Sequence, residues 1–166
     1  MLDRRSLLGA AAALPFLAPG AADARAPFRN TLPPAAETLF EAMPVADRRH
    51  GLDVALRLAR LGHDDPDLLG AALLHDAGKG ERMRLWHRVG GVLLDAFAPS
   101  LLRRLASAEP TSRRHAFHLY LHHASISARL AREAGCSARL AGFMTGDVDP
   151  RDASLLRALM TTDDAS

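Results

Sequence analysis

At 166 residues the chain is sized for one domain with a single buried core. Leucine and alanine are abundant while aromatic and β-branched residues are few, a composition that favours helix over sheet. The net charge of +2 gives nucleic-acid binding no special support, and a lone cysteine, Cys136, excludes both an internal disulfide framework and a cysteine-rich zinc site.

Residues 1–26 read as a targeting segment. Arg4-Arg5-Ser6-Leu7-Leu8 has the form of a twin-arginine export motif, an apolar run follows over 7–18, and Ala22-Asp23-Ala24 or Ala24-Arg25-Ala26 fits an A-x-A cleavage pattern. The run is too short for a membrane span and is broken by Pro15, so no spanning segment is expected. Export would place the domain in the periplasm. A frayed helix or a start assigned too early is the alternative, and leaves it cytoplasmic.

Residues 27–166 then read as one helical domain. After a linker at 30–34, Pro33-Pro34 opens a short helix predicted to reach about Met43, where Pro44 stops it. Asp47 is the expected N-cap of the next helix. That helix carries His50 in its first turns, sets Leu52, Ala55, Leu56 and Ala59 on a buried stripe, and closes at Gly62. Taken alone, His50 also reads as a surface histidine at a helix start.

Asp65-Pro66-Asp67 opens a third helix, with Pro66 suited to the first turn and Asp67 to the positive end of the dipole. Leu68, Leu69, Ala71, Ala72, Leu73 and Leu74 are apolar almost all round, so this helix should be central and buried. It ends in His75-Asp76. Burying such a pair without a partner is costly, and a neutral imidazole and a carboxylate are both ligands for a divalent metal. The competing reading is a plain helix terminus, with His75 exposed near the negative dipole end and Asp76 capping the next turn. Lys79 follows, the only lysine in a chain rich in arginine, between Gly78 and Gly80, which permit a tight turn. A compact ammonium there suits a phosphate oxygen.

Residues 82–97 form a further amphipathic helix, with Trp86 and His87 as packing and surface residues. Pro99 breaks it, Ser100 caps a short helix through Ala106, and 109–112 form a loop. Four histidines follow: His115, His118, His122 and His123. The first three lie at i, i+3 and i+7 on one helix face, and His118 with His122 at i and i+4 could chelate one ion. Gly135 ends the helix containing Leu130, and Ser137 caps another to about Met144. Asp149-Pro150 opens the last helix, with Leu155, Leu156, Leu159 and Met160 toward the core. It ends in Thr161-Thr162-Asp163-Asp164, which on its own also reads as acids fraying at a polar terminus.

His50, the stretch Leu73-Leu74-His75-Asp76-Ala77-Gly78-Lys79-Gly80, and Asp163 together resemble the ordered H, HD, D signature of the HD-domain superfamily, from about Leu32 to the C-terminus. The resemblance implies an all-α, single-domain HD-like helical bundle. It further implies a metal-dependent phosphohydrolase that cuts a phosphomonoester or phosphodiester, usually of a nucleotide; no nucleic-acid duplex is expected as partner and no membrane span. On it, His50, His75, Asp76 and Asp163 are metal ligands and Asp76 also orients water. Lys79, assisted by Arg82 or Arg84, offsets charge on phosphate. Two histidines and two carboxylates suit Mn²⁺, Fe²⁺, Co²⁺ or Mg²⁺ better than a structural zinc.

The stretch around His122-His123-Ala124 is similar to the family segment in which one histidine begins a helix facing the metal centre, which makes His123 a candidate ligand of a second ion. Binuclear relatives usually add histidines in the following helix, whereas Phe143-Met144-Thr145-Gly146-Asp147 has none. The Gly-Tyr-Pro motif of cyclic-dinucleotide phosphodiesterases is also absent. The alternative is therefore a non-catalytic HD-fold module that binds a nucleotide or a protein partner.

Overall fold

The computed structural model describes residues 25–79, 93–94, 96–109, 111–112 and 114–166. Among these residues there are seven α-helices and no strand, as the composition implied. They are α1 (Pro34–Ala42), α2 (Val45–Arg60), α3 (Pro66–Leu74), α4 (Pro99–Leu105), α5 (His115–Glu133), α6 (Ala138–Thr145) and α7 (Ala153–Asp164). Three-residue 3-10 turns lie at Ala26–Phe28, Ala77–Lys79 and Pro150–Asp152. The twin-arginine leader up to residue 24, Gly80, and most of the helix expected over 82–97, with Arg82, Arg84, Trp86 and His87, lie outside the described residues.

Helix α3 is the axis of the bundle. The Asp65 carboxylate accepts hydrogen bonds from the backbone N–H groups of Asp67 and Leu68, and Pro66 occupies the first turn, where its missing N–H is harmless. Every residue from Leu68 to Leu74 is buried, on all faces, as its all-round apolar pattern requires. Burying one such leucine is worth about 2 kcal/mol, so the helix is held by its surroundings rather than by its own short ladder. Helices α2, α6 and α7 pack against it, and α5 packs against α6 and the Ala77–Lys79 turn.

Gly51 sets how closely α2 approaches. A Cβ there would lie 2.8 Å from the Leu73 carbonyl oxygen and 3.0 Å from that of Ala72, so only glycine lets α2 lie on the C-terminal end of α3. At the other end, Arg139 of α6 donates to both carboxylate oxygens of Asp152, at 2.7 and 2.8 Å, and to Asp65 at 2.9 Å. This fork ties the start of α3 to α6 and to the turn before α7. The Asp152 contacts, reinforced by Asp65 and Asp67, hold the guanidinium further above its already high ordinary value despite the opposing effect of burial.

Several local expectations need correction. Helix α2 begins at Val45 directly after Pro44, so Asp47 is a buried first-turn residue and not the N-cap. Helix α4 begins at Pro99, with Ala98 in the cap position, because proline fits the first helical residue; Ser100 is inside it. The 30–34 linker is not merely a spacer, since Leu32 enters the core beside Phe28. Arg25 pairs with Glu37 and lies over the Phe40 ring, so packing begins at the first described residue. Met160 is exposed while Leu159 is buried, because the core-facing stripe of α7 is narrower than four residues. The stop at Gly135, with φ of +87°, and the Ser137 cap on Leu140 N–H are as the sequence indicates.

Candidate metal centre

Three helix ends converge on one point. His50 comes from the first half of α2, brought near α3 by the neighbouring Gly51 contact. His75 is the residue after α3, and Asp76 follows it, 2% exposed. Ligand atoms of His50, His75 and Asp76 all lie within 4.8 Å of one another. Asp163, in the last turn of α7, joins them: its Oδ1 accepts a 2.7 Å hydrogen bond from His50 Nε2 and lies 3.2 Å from His75 Nε2. The two imidazoles meet edge to face with centres 5.2 Å apart. Lys79 completes the group, its Nζ donating to Asp76 Oδ2 at 2.6 Å.

Two atoms in this group are buried and lack a hydrogen-bond partner: His75 Nε2 and Asp76 Oδ1. They lie 3.4 Å apart without the alignment of a bond. An orphaned buried polar atom costs about 1–3 kcal/mol, more if charged, and two facing one another need a common partner. His75 Nδ1 donates to the Ala72 carbonyl at 2.9 Å, which orients the ring so that Nε2 faces Asp76 and Asp163 and is the nitrogen that would ligate an ion once deprotonated. A divalent cation fits this donor set: two imidazole nitrogens and carboxylate oxygens in a largely buried position.

The electrostatics agree. Burial opposes the imidazolium of His75, but contact with Asp163 and the charges of Asp76 and Asp163 outweigh it, so this histidine titrates above its ordinary value of 6.5. Contacts with His50 and then His75 hold the Asp163 carboxyl far below the usual carboxylate range, against the upward push of burial. The negative charge of Asp163 is thus fully developed beside both imidazoles.

The Ala77–Lys79 turn is locked from behind by α5. Ser127 is fully buried and bonds both ways: its Oγ accepts from Gly78 N–H at 2.8 Å and donates to the His75 carbonyl at 2.6 Å. A Cβ on Gly78 would meet the His123 carbonyl oxygen at 2.5 Å and Ser127 N at 2.8 Å. Gly78 is therefore required for close approach of two backbones, not for a left-handed turn, since its φ is not positive.

His123 does not join the converging ligands among the described residues. It lies in the middle of α5 rather than at a helix start, and its Nδ1 donates to the Tyr120 carbonyl at 2.8 Å. His115, His118 and His122 do share a face of α5, with adjacent ring centres 5.5 and 4.5 Å apart. Burial, then the neighbouring His122 and His115, hold His118 below its ordinary value.

Comparison with protein-family models, with curated proteins and with solved structures finds no match. The site must therefore be read from its own chemistry. Sequence reasoning missed three contributors. Gly51 was signalled by a glycine inside a helical pattern. Ser127 was hidden as one of two serines, with Ser125, on an amphipathic helix. Arg57, whose Nη1 donates to the Ala165 carbonyl at 2.7 Å and so holds the chain end carrying Asp163, left no local signal.

Proposed function

We propose that this protein is a metal-dependent phosphohydrolase of the HD type, cleaving a phosphomonoester or phosphodiester, with nucleotides as the expected substrate class. The observation that carries this reading is the pair of orphaned buried ligand atoms, His75 Nε2 and Asp76 Oδ1, set beside His50, Asp163 and Lys79. A divalent ion bound by His50, His75, Asp76 and Asp163 would supply a polarised phosphoryl oxygen and an acidified water. Around it, the chain's own groups have separable tasks. The His75–Ala72 hydrogen bond holds one imidazole in register, while the direct His50–Asp163 contact keeps those two side chains together and would be replaced by their bonds to the ion. Asp76 would bind the ion through Oδ1 and so stand next to the ion's water, with Oδ2 tied to Lys79. The Lys79 ammonium, on a flexible stem next to the ligands, offsets negative charge on the phosphoryl oxygens.

The test is metal content and turnover of the full chain reconstituted with Mn²⁺, beside the His75→Ala, Asp76→Ala double variant. About one Mn²⁺ per chain, lost in the variant, together with hydrolysis of a phosphate ester, is the expected result. Absence of Mn²⁺ from the reconstituted wild type overturns it. A second reading is a non-catalytic module of the same fold. Phe143 and Met144 favour it, because both are buried in the core where binuclear relatives would carry further histidines. Stoichiometric Mn²⁺ without turnover on any phosphate ester selects that reading.

The export leader belongs to the same proposal. Twin-arginine export carries folded proteins, which suits a domain that loads its ion before transport. Cell fractionation of the Arg4→Lys, Arg5→Lys variant tests it: retention in the cytoplasm, against release of the wild type, supports the leader.

A further inference from the structure

We infer that α5 carries a second, separate transition-metal site formed by His118 and His122. The two are one helical turn apart, and their ring centres lie 4.5 Å from one another with the planes tilted by 45°. With ligand nitrogens about 2.1 Å from an ion and each ring centre about 1.1 Å further, two imidazoles have centres about 4.5 Å apart at a right angle and about 5.2 Å apart at a tetrahedral one. The observed ring centres stand at the right-angle end of that range. His122 is exposed and His118 half-buried, so solvent ligands can complete the shell.

The neighbouring histidines take no part. His115 is 5.5 Å from His118 and nearly parallel to it, at 22°, a stacking arrangement rather than a chelating one. The hydrogen bond from its Nδ1 to the Ser107 carbonyl at 3.0 Å anchors the start of α5 and holds the ring in that stacked orientation. His123 follows His122 directly and is turned about 100° around the helix, onto the face whose backbone meets Gly78. The pair therefore does not share ligands with the centre at His75 and Asp76.

The donor set specifies the ion class. Two imidazoles with no carboxylate favour borderline ions, Zn²⁺, Ni²⁺ and Cu²⁺, over Mg²⁺ or Mn²⁺, which want oxygen. Binding would also brace α5 across one turn, and α5 holds Ser127 against the Ala77–Lys79 turn.

The full chain without affinity-tag histidines is dialysed against Zn²⁺ with excess Mn²⁺, and zinc per chain is measured. His118→Ala, His122→Ala is expected to bind one zinc fewer than wild type, and His75→Ala, Asp76→Ala to keep that zinc. The His118→Gln, His122→Gln pair, with helical circular dichroism as the check on folding, gives the same readout should the alanines disturb α5. Wild-type zinc content in a folded His118, His122 variant overturns the inference, as does a wild type that binds no zinc. Failure of the other centre reads differently: the His75, Asp76 variant then shows unchanged Mn²⁺ content while the zinc result stands.

Discussion

The two sides of the candidate centre are built to different tolerances. His75 and Asp76 leave a fully buried helix and are held by backbone clamps, with Ser127 bridging Gly78 N–H and the His75 carbonyl and α5 pressed against Gly78. Asp163 sits in the last turn of the last helix, with 38% of its side chain exposed, and is held by His50 and by the grip of Arg57 on the chain end. One side is fixed by packing that cannot yield without unfolding. The other is fixed by an ion pair and one exposed hydrogen bond, each of which yields cheaply. The difference teaches which candidate ligands are held ready-made and which are free to adjust.

The sharpest way to break the clamped side is Gly78→Ala. The new methyl would meet backbone atoms at 2.5 and 2.8 Å, and backbone cannot swing away as a side-chain tip can. A loss of about 3 kcal/mol is expected, read by chemical or thermal denaturation. Stability within about 0.5 kcal/mol of wild type would mean the turn is looser than its contacts indicate. Ser127→Ala comes next. It leaves Gly78 N–H and the His75 carbonyl without their shared partner in a buried place, at a cost of about 2 kcal/mol. Mn²⁺ affinity should fall with it, because the His75 backbone is no longer pinned. Affinity that stays constant while stability drops would reduce Ser127 to a core hydrogen bond.

How much of this was legible in the sequence follows the same division. The fold class was readable because α3 is apolar on every face and caps such as Asp65 and Ser137 work locally. The His75-Asp76 doublet was readable for the same reason, since a polar pair ending a wholly buried helix calls for a partner. The clamp was not, because Ser127 lies 49 residues from Gly78 and nothing local marks it. The motif suggested that His123 begins a helix, whereas the helix runs on continuously from His115. Asp163 was placed by order alone, and its contact with His50 spans 113 residues of chain. Pairings of that range are decided by packing, not by neighbours in sequence.

The yielding side should show itself in pH. In the metal-free protein, His75 has a raised folded value, so its contribution is complete below the unfolded value of 6.5 and is lost as pH rises through the folded one. Asp163 has a lowered folded value, so its contribution is complete above the unfolded 3.8 and is lost as pH falls. Both are complete together between those two pH values and fade outside them. Asp163→Asn should therefore cost most between about pH 4 and 6.5, on the order of 1 kcal/mol for a half-exposed pair, and less above pH 8. Denaturation of wild type and variant across that range, with chelator present, measures it; a difference that grows above pH 8 would refute the pairing.

Arg57→Ala is the mildest perturbation and the most discriminating. Its bond to the Ala165 carbonyl is exposed, so removing it should leave global stability within a few tenths of a kcal/mol. It does, however, release the chain end two residues beyond Asp163, where fraying begins in any helix whose last carbonyls lack partners. Asp163 would then spend part of its time away from His50, and Mn²⁺ affinity should fall about threefold, or about 0.6 kcal/mol. Ser127→Ala couples stability to affinity, while Arg57→Ala should separate them. If both variants lose stability and affinity in the same proportion, the two sides of the centre are a single cooperative unit, and the division between clamped and adjustable ligands fails.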